Sequence, residues 1–311
     1  MSFARDKSAK TKMTLELLRK QMGRWPGQYV RVGAVALVLI LTGCIGGRDG
    51  AGKGENGLDG WDLAAKYRFN ESRRWFRNAA ANTDGEGRSL RMARYGEALA
   101  SLNAIPKTVG NIDRADAIFA ELALGSEDDE ITPRATYHRG RIQQIHLRVP
   151  DFGKASAIYR EMIKRWPADV FTQMAVVKLA TIQLYEPTSP EEKLRRYTEL
   201  TSLESLLNFA PALRDFHYIM GVACLSLGLS KDRALYHLIK CEDAGITLPQ
   251  IRINTYCRIG VTAKQLGQFE LAAAYFRKFM AASPRDPRTQ MIKDHIADLP
   301  PVSRALALGE G

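Results

Sequence analysis

The stretch from Tyr256 to Pro284 constrains this chain more than any other. Tyr256, Ile259 and Ala263 fall at i, i+3 and i+7, on one face of a helix. Ala272, Phe276 and Phe279 form a second apolar stripe at i, i+4 and i+7. Leu266-Gly267-Gln268-Phe269 separates the two, with Gly267 ending the first helix and Pro284 the second. Small residues, Gly260 and Ala272, let the two helices approach closely. Neither helix can bury its stripe alone, so the segment is expected to be one hairpin of a stack.

The phrase recurs. Phe152, Ala155, Tyr159, Met162 and Pro167 follow a first helix around Gly140; Gly221, Gly228, Ala234 and Leu238 make another unit. Gly110 to Ala115, with Phe119 and Leu122, make an earlier one. The alanines at 115, 155, 234 and 272 are 40, 79 and 38 residues apart, so the middle gap holds a hidden unit, assigned to 170–185 and 191–209. The order of aromatic, Leu-Gly, small, Ala, aromatic and Pro positions resembles the tetratricopeptide repeat. It departs from that pattern at Ala263, where Tyr is usual, and at Phe279, where Ala is usual. The resemblance implies an all-α fold: a right-handed superhelical array of antiparallel helix hairpins. Five hairpins are expected within a repeat domain spanning 88–300, with a tail at 301–311 and a capping segment at 61–87 whose helix runs from Trp61 to Ala81. The period exceeds the 34 residues of the family, which implies lengthened loops or helices. A composition that is 45% hydrophobic, rich in Ala, Leu and long charged residues, favours helix and excludes a disordered chain.

Upstream, Val32 to Thr42 reads VGAVALVLILT, eleven residues without a charge. That is short for a hydrocarbon core about 30 Å thick, which needs about 20 residues of helix. A basic flank before a run of this length suits an export signal. Residues 1–31 hold eight cations against Asp6 and Glu16, so +6 of the chain's net +11 lies beside the apolar run. That placement fits membrane orientation and argues against nucleic-acid binding, since no basic stripe with interleaved aromatics follows. The run ends in Leu41-Thr42-Gly43-Cys44, which resembles the lipobox of bacterial lipoproteins. Residues 1–44 are therefore expected to be a signal peptide with lipidation at Cys44, and 45–60 a Gly-rich tether. Ile45, in place of the Asp that retains many lipoproteins in an inner membrane, points to an outer membrane facing the periplasm. A single-pass inner-membrane anchor is the alternative, and Met13 or Met22 are alternative starts.

Active-site chemistry is not expected. Gly47 to Gly54 has the spacing of a phosphate loop, but Gly54 stands where Ser or Thr must hold magnesium. His138, His146, His217, His237 and His295 are scattered, and the sequence shows no metal-ligand spacing. His217 and His237 are expected to be packed or surface residues of hairpin helices. Cys224, Cys241 and Cys257 are expected to fill core positions, with one disulfide as the alternative. The acidic run Glu127 to Glu130 reads as a solvated loop. No cofactor, no metal and no small-molecule substrate are expected.

In the family resembled, the first helices of successive hairpins line a concave groove that holds a protein or peptide. The positions here expected on that surface are Arg134, Tyr137, Arg141, Gln144, Asn254, Lys264 and Gln265. Arg and Tyr are frequent interface anchors, so a polar or acidic peptide fits. Together these features imply a membrane-tethered protein-interaction scaffold of a bacterial cell-envelope complex, not an enzyme. A regulatory or docking subunit for an envelope enzyme is the alternative.

Overall fold

A computed structural model describes residues 59–83, 87–125 and 129–309. The expected signal, Cys44 and nearly all of the Gly-rich tether lie outside the described residues. Among the described residues the protein is all-helical, with no strand and no helix long and apolar enough to cross a membrane. The helices are α1 (Gly60–Ala65), α2 (Phe69–Ala81), α3 (Arg88–Asn103), α4 (Val109–Leu122), α5 (Ile131–Arg141), α6 (Phe152–Arg165) and α7 (Val170–Tyr185). They continue with α8 (Pro190–Thr201), α9 (Ala210–Ser226), α10 (Lys231–Asp243), α11 (Pro249–Gln265), α12 (Phe269–Ala282), α13 (Thr289–Ala297) and α14 (Pro301–Leu308). A π-helical turn, Ile142–His146, extends α5, and a 3-10 turn, Glu204–Leu206, precedes α9. The chain divides into two compact units within α4, one ending at Ile118 and the other beginning at Phe119.

In the first unit, α1 packs on α2 and α2 on α3. Here the structure corrects the expected single helix from Trp61 to Ala81: the chain turns at Tyr67, which takes a positive φ of 61°. Asp59 and Asp62 make a reciprocal capping box that fixes the start of α1. Gly60 lies so close to the α2 aromatics that an added Cβ would sit 2.8 Å from the Phe76 ring and 2.6 Å from Trp75. The buried Ser72 hydroxyl donates to the Gly60 carbonyl at 2.8 Å. Gly60, Ser72 and Phe76 are spaced as Gly260, Ala272 and Phe276 are, so α1 and α2 form a short hairpin of the same register.

The second unit repeats that construction. A Cβ at Gly140 would meet the Tyr159 ring at 2.3 Å, one at Gly221 the Leu238 side chain at 2.9 Å, and one at Gly260 the Phe276 ring at 2.6 Å. In these three hairpins a first-helix glycine therefore admits a large side chain of the second helix, rather than simply facing the small Ala272-type position, whereas α7 carries no glycine. Burying such a ring is worth about 1.5–3 kcal/mol. Gly267, with a φ of 74°, ends α11 as its place after Leu266 predicts. Consecutive helices pack on each other from α5 to α7 and from α9 to α12, and α7 also touches α8 and α9. The hidden unit exists as α7 and α8, although α8 stops at Thr201 because the chain turns at Ser202–Leu206. Ser189, Pro190, Glu191 and Glu192 give α8 a complete start signal. The expected tail is helical as well: Ser303 and Ala307 of α14 are buried, and α14 packs on α12.

Gln173 shows how loops are tied to the array. Its carbonyl oxygen accepts from the Asn208 and Phe209 amides at 2.8 and 2.7 Å, and its amide donates to Asn208 Oδ1 at 2.7 Å. α9 has no side-chain cap of its own, and this buried glutamine satisfies the amides at its start.

Candidate partner-binding face

The first helices of the second unit are α5, α7, α9 and α11. Lys178 is the only charge in the sixteen residues of α7, because that helix is enclosed by neighbours on most sides. The Lys178 side chain remains half-buried, and its burial pushes the amine down to about 8. Arg141 of α5 adds to that depression and Asp215 of α9 opposes it, so the three groups share one electrostatic environment. Further along, Arg258 of α11 donates to the Tyr218 hydroxyl of α9 at 2.9 Å and lies 5.7 Å from the centre of its ring. Tyr185, at the end of α7, is pushed up to about 12 by burial, with Tyr218 adding to the rise and Arg258 opposing it. Polar groups on four successive first helices thus come within range of one another. Asp215 is already engaged by Arg214 at 2.8 Å, so Arg141, Lys178 and Arg258 give this face a positive balance.

The seven positions expected on the binding surface separate. Tyr137 is 2% exposed and Gln144 is 6% exposed, which corrects their expected exposure. Tyr137 packs edge-on to Phe171 and lies beside Tyr159. Gln144 sits in the π-helical turn, which rotates it inward to accept from the Tyr159 hydroxyl at 3.0 Å and from Arg141 at 2.8 Å. Arg134 is committed to Glu130 at 2.8 Å and lies over the Phe171 ring, leaving its side chain 12% exposed. Asn254 accepts from Arg288 at 2.8 Å, and Lys264 is bound to Asp298 at 2.9 Å. Gln265 alone of the seven is exposed, at the end of α11. Of the seven, Arg141 belongs to the charged face described above. Lys178, Tyr218 and Arg258 were missed, and the lone lysine in the otherwise uncharged segment Val170–Tyr185 is the signal that marks that surface.

A second polar grouping was also missed. His217 of α9 and His237 of α10, each 1% exposed, meet with their Nδ1 atoms 2.8 Å apart. His237 Nε2 lies 2.8 Å from the Tyr197 hydroxyl, and His217 Nε2 is 3.7 Å from Glu204 Oε1. The network is satisfied when Tyr197 donates to His237 Nε2, His237 Nδ1–H donates to His217 Nδ1, and His217 Nε2–H faces the Glu204 carboxylate. Burial holds both imidazoles below their ordinary range, so they are neutral near pH 7. The hairpin register brings them together: Gly221 faces Ala234 and Leu238, which sets His217, one turn earlier, beside His237. Cys224, Cys241 and Cys257 are free and buried.

Compared with known protein families and with curated proteins, the sequence matches none.

Proposed function

We propose that the chain is a membrane-tethered interaction scaffold of a bacterial cell-envelope complex, built on tetratricopeptide-type repeats and performing no catalysis itself. The observation that carries this reading is the run of interacting polar groups on α5, α7, α9 and α11, with Lys178 kept in an otherwise uncharged helix. A buried lysine costs stability, and a surface that recruits an anionic partner is a physical reason to keep one. In this reading the hairpins wind as a right-handed superhelix whose inner surface is formed by the first helices, and an acidic peptide or helix of the partner lies along it. The lipobox-like Leu41 to Cys44 supplies the tether to the outer membrane, facing the periplasm.

Labelling with alkyne palmitate tests the tether: incorporation lost in Cys44→Ala supports it, and unlabelled protein that still partitions with membranes rejects it. Crosslinking with mass spectrometry in the native host tests the scaffold role. A partner whose crosslinks disappear in Arg141→Glu with Arg258→Glu supports it, whereas the same partner retained removes this face from the account.

A further inference from the structure

Glu204, His217 and His237 come from three separate elements, the 3-10 turn, α9 and α10, yet one carboxylate oxygen and one nitrogen from each imidazole lie within 4.8 Å of one another. The two imidazoles are enclosed, while the Glu204 side chain is 25% exposed and Tyr236 beside it is exposed. The grouping therefore has a dry floor and one side open to solvent. Around it stand two hydroxyls: Tyr197 beside His237 Nε2, and Tyr236, which donates to Glu204 Oε1 at 2.8 Å. Ligating histidines and carboxylates are commonly oriented by such outer partners.

The donor set is two imidazoles and one carboxylate. Calcium and magnesium prefer shells of oxygen, whereas two nitrogens with one oxygen suit borderline divalent ions. We propose that Glu204, His217 and His237 form a binding site for a divalent transition-metal ion of the zinc or cobalt class. The Nδ1 atoms lie 2.8 Å apart, at hydrogen-bond distance. An ion bonded to two nitrogens at about 2.0–2.1 Å in tetrahedral geometry holds them about 3.3 Å apart, so the imidazoles separate by about half an ångström and turn to aim both lone pairs at the ion. The His237 proton then resides on Nε2 and is donated to the Tyr197 hydroxyl, which takes over the orienting role. Glu204, on a short turn where it accepts from Tyr236, is the ligand that moves to close over the ion. The site joins the 3-10 turn, α9 and α10 of one unit, so occupancy would clamp three consecutive elements of the array.

The test titrates tag-free full-length protein in detergent with cobalt(II), followed by zinc(II), with magnesium as control. The expected result is one equivalent of cobalt with a visible d–d absorption that zinc abolishes and magnesium leaves unchanged. Glu204→Gln should weaken binding at least tenfold, and His237→Phe should abolish it with the helical circular dichroism retained. Should the core variant fail to fold, Glu204→Gln, on the short turn, decides the matter. No uptake by the wild type, uptake equal in wild type and Glu204→Gln, or a thiolate charge-transfer band placing the ion on a cysteine would each overturn the site.

Discussion

Replacing Gly260 by Ala tests the packing logic of the hairpins most cleanly. The new Cβ would stand 2.6 and 2.7 Å from Cε1 and Cδ1 of Phe276, where ordinary contact begins near about 3.4 Å. The ring must retreat by roughly 0.8 Å, but it is fully buried against Ile259, Ala263, Ala272 and Phe279 and has nowhere to go. Overpacking of this kind costs about 1–3 kcal/mol, partly offset by about 1 kcal/mol from the better helix propensity of alanine. A net loss of up to about 2 kcal/mol is expected. Phe276→Leu alone leaves a small void and costs about 1–2 kcal/mol. The double variant should be no less stable than Phe276→Leu, because the clash has gone, giving a coupling energy of about 1–3 kcal/mol. Chemical denaturation of the four proteins, followed by helical circular dichroism, measures it. A clearly stabilising Gly260→Ala, or strictly additive effects, would refute the reasoning. Gly110→Ala, where an added Cβ meets nothing within 4 Å, is the control and should not destabilise.

Three further outcomes are expected. Burial lowers the His138 pKa to about 3 from 6.5, so the folded protein refuses a proton that the unfolded chain accepts. The associated stability is present above pH 6.5 and declines as pH falls below it; at pH 5 the loss is about 2 kcal/mol, and denaturation of His138→Phe should show a pH dependence shallower by that amount. Lys178→Met should stabilise the fold at pH 7 by about 1–3 kcal/mol, read as a rise in denaturation midpoint, because the folded protein holds that proton less well than the unfolded chain between pH 8 and 10.5. A destabilised Lys178→Met would mean that the amine is not paying for its place. Burial raises the thiols of Cys224, Cys241 and Cys257, so an aromatic disulfide reagent should modify them only on unfolding, and three free thiols in denaturant without reductant would confirm the absence of bridges among them.

How much of this was readable in the sequence depended on whether the signal was local. The hairpin from Tyr256 to Pro284 was legible because its stripes, its Gly267 terminator and its proline fall within one helical pair. The identical spacing of Gly60, Ser72 and Phe76 was equally present, but α1 is only six residues long and carries too few apolar positions to show a stripe. The binding surface was read less well. Helical periodicity separates apolar from polar positions, yet it does not say which polar position a neighbouring hairpin will cover. Arg134 and Tyr137 illustrate the point: Phe171, thirty-odd residues on, covers both. Gln144 was misplaced for a different reason, since the π-helical turn adds a residue and rotates it inward. The histidine pair is twenty residues apart, a distance that no ligand-spacing rule covers and that only the hairpin register closes.

The central claim is that the face carrying Arg141, Lys178 and Arg258 captures a partner. A photo-crosslinking residue placed at Tyr218, with a second protein carrying it at the exposed Lys164 of α6 as control, tests this most directly in the native host. The account predicts a discrete crosslinked partner from position 218, lost when Lys178→Glu is added, and none from position 164. Equal crosslinking from both positions, or a position-218 adduct indifferent to Lys178→Glu, would contradict it.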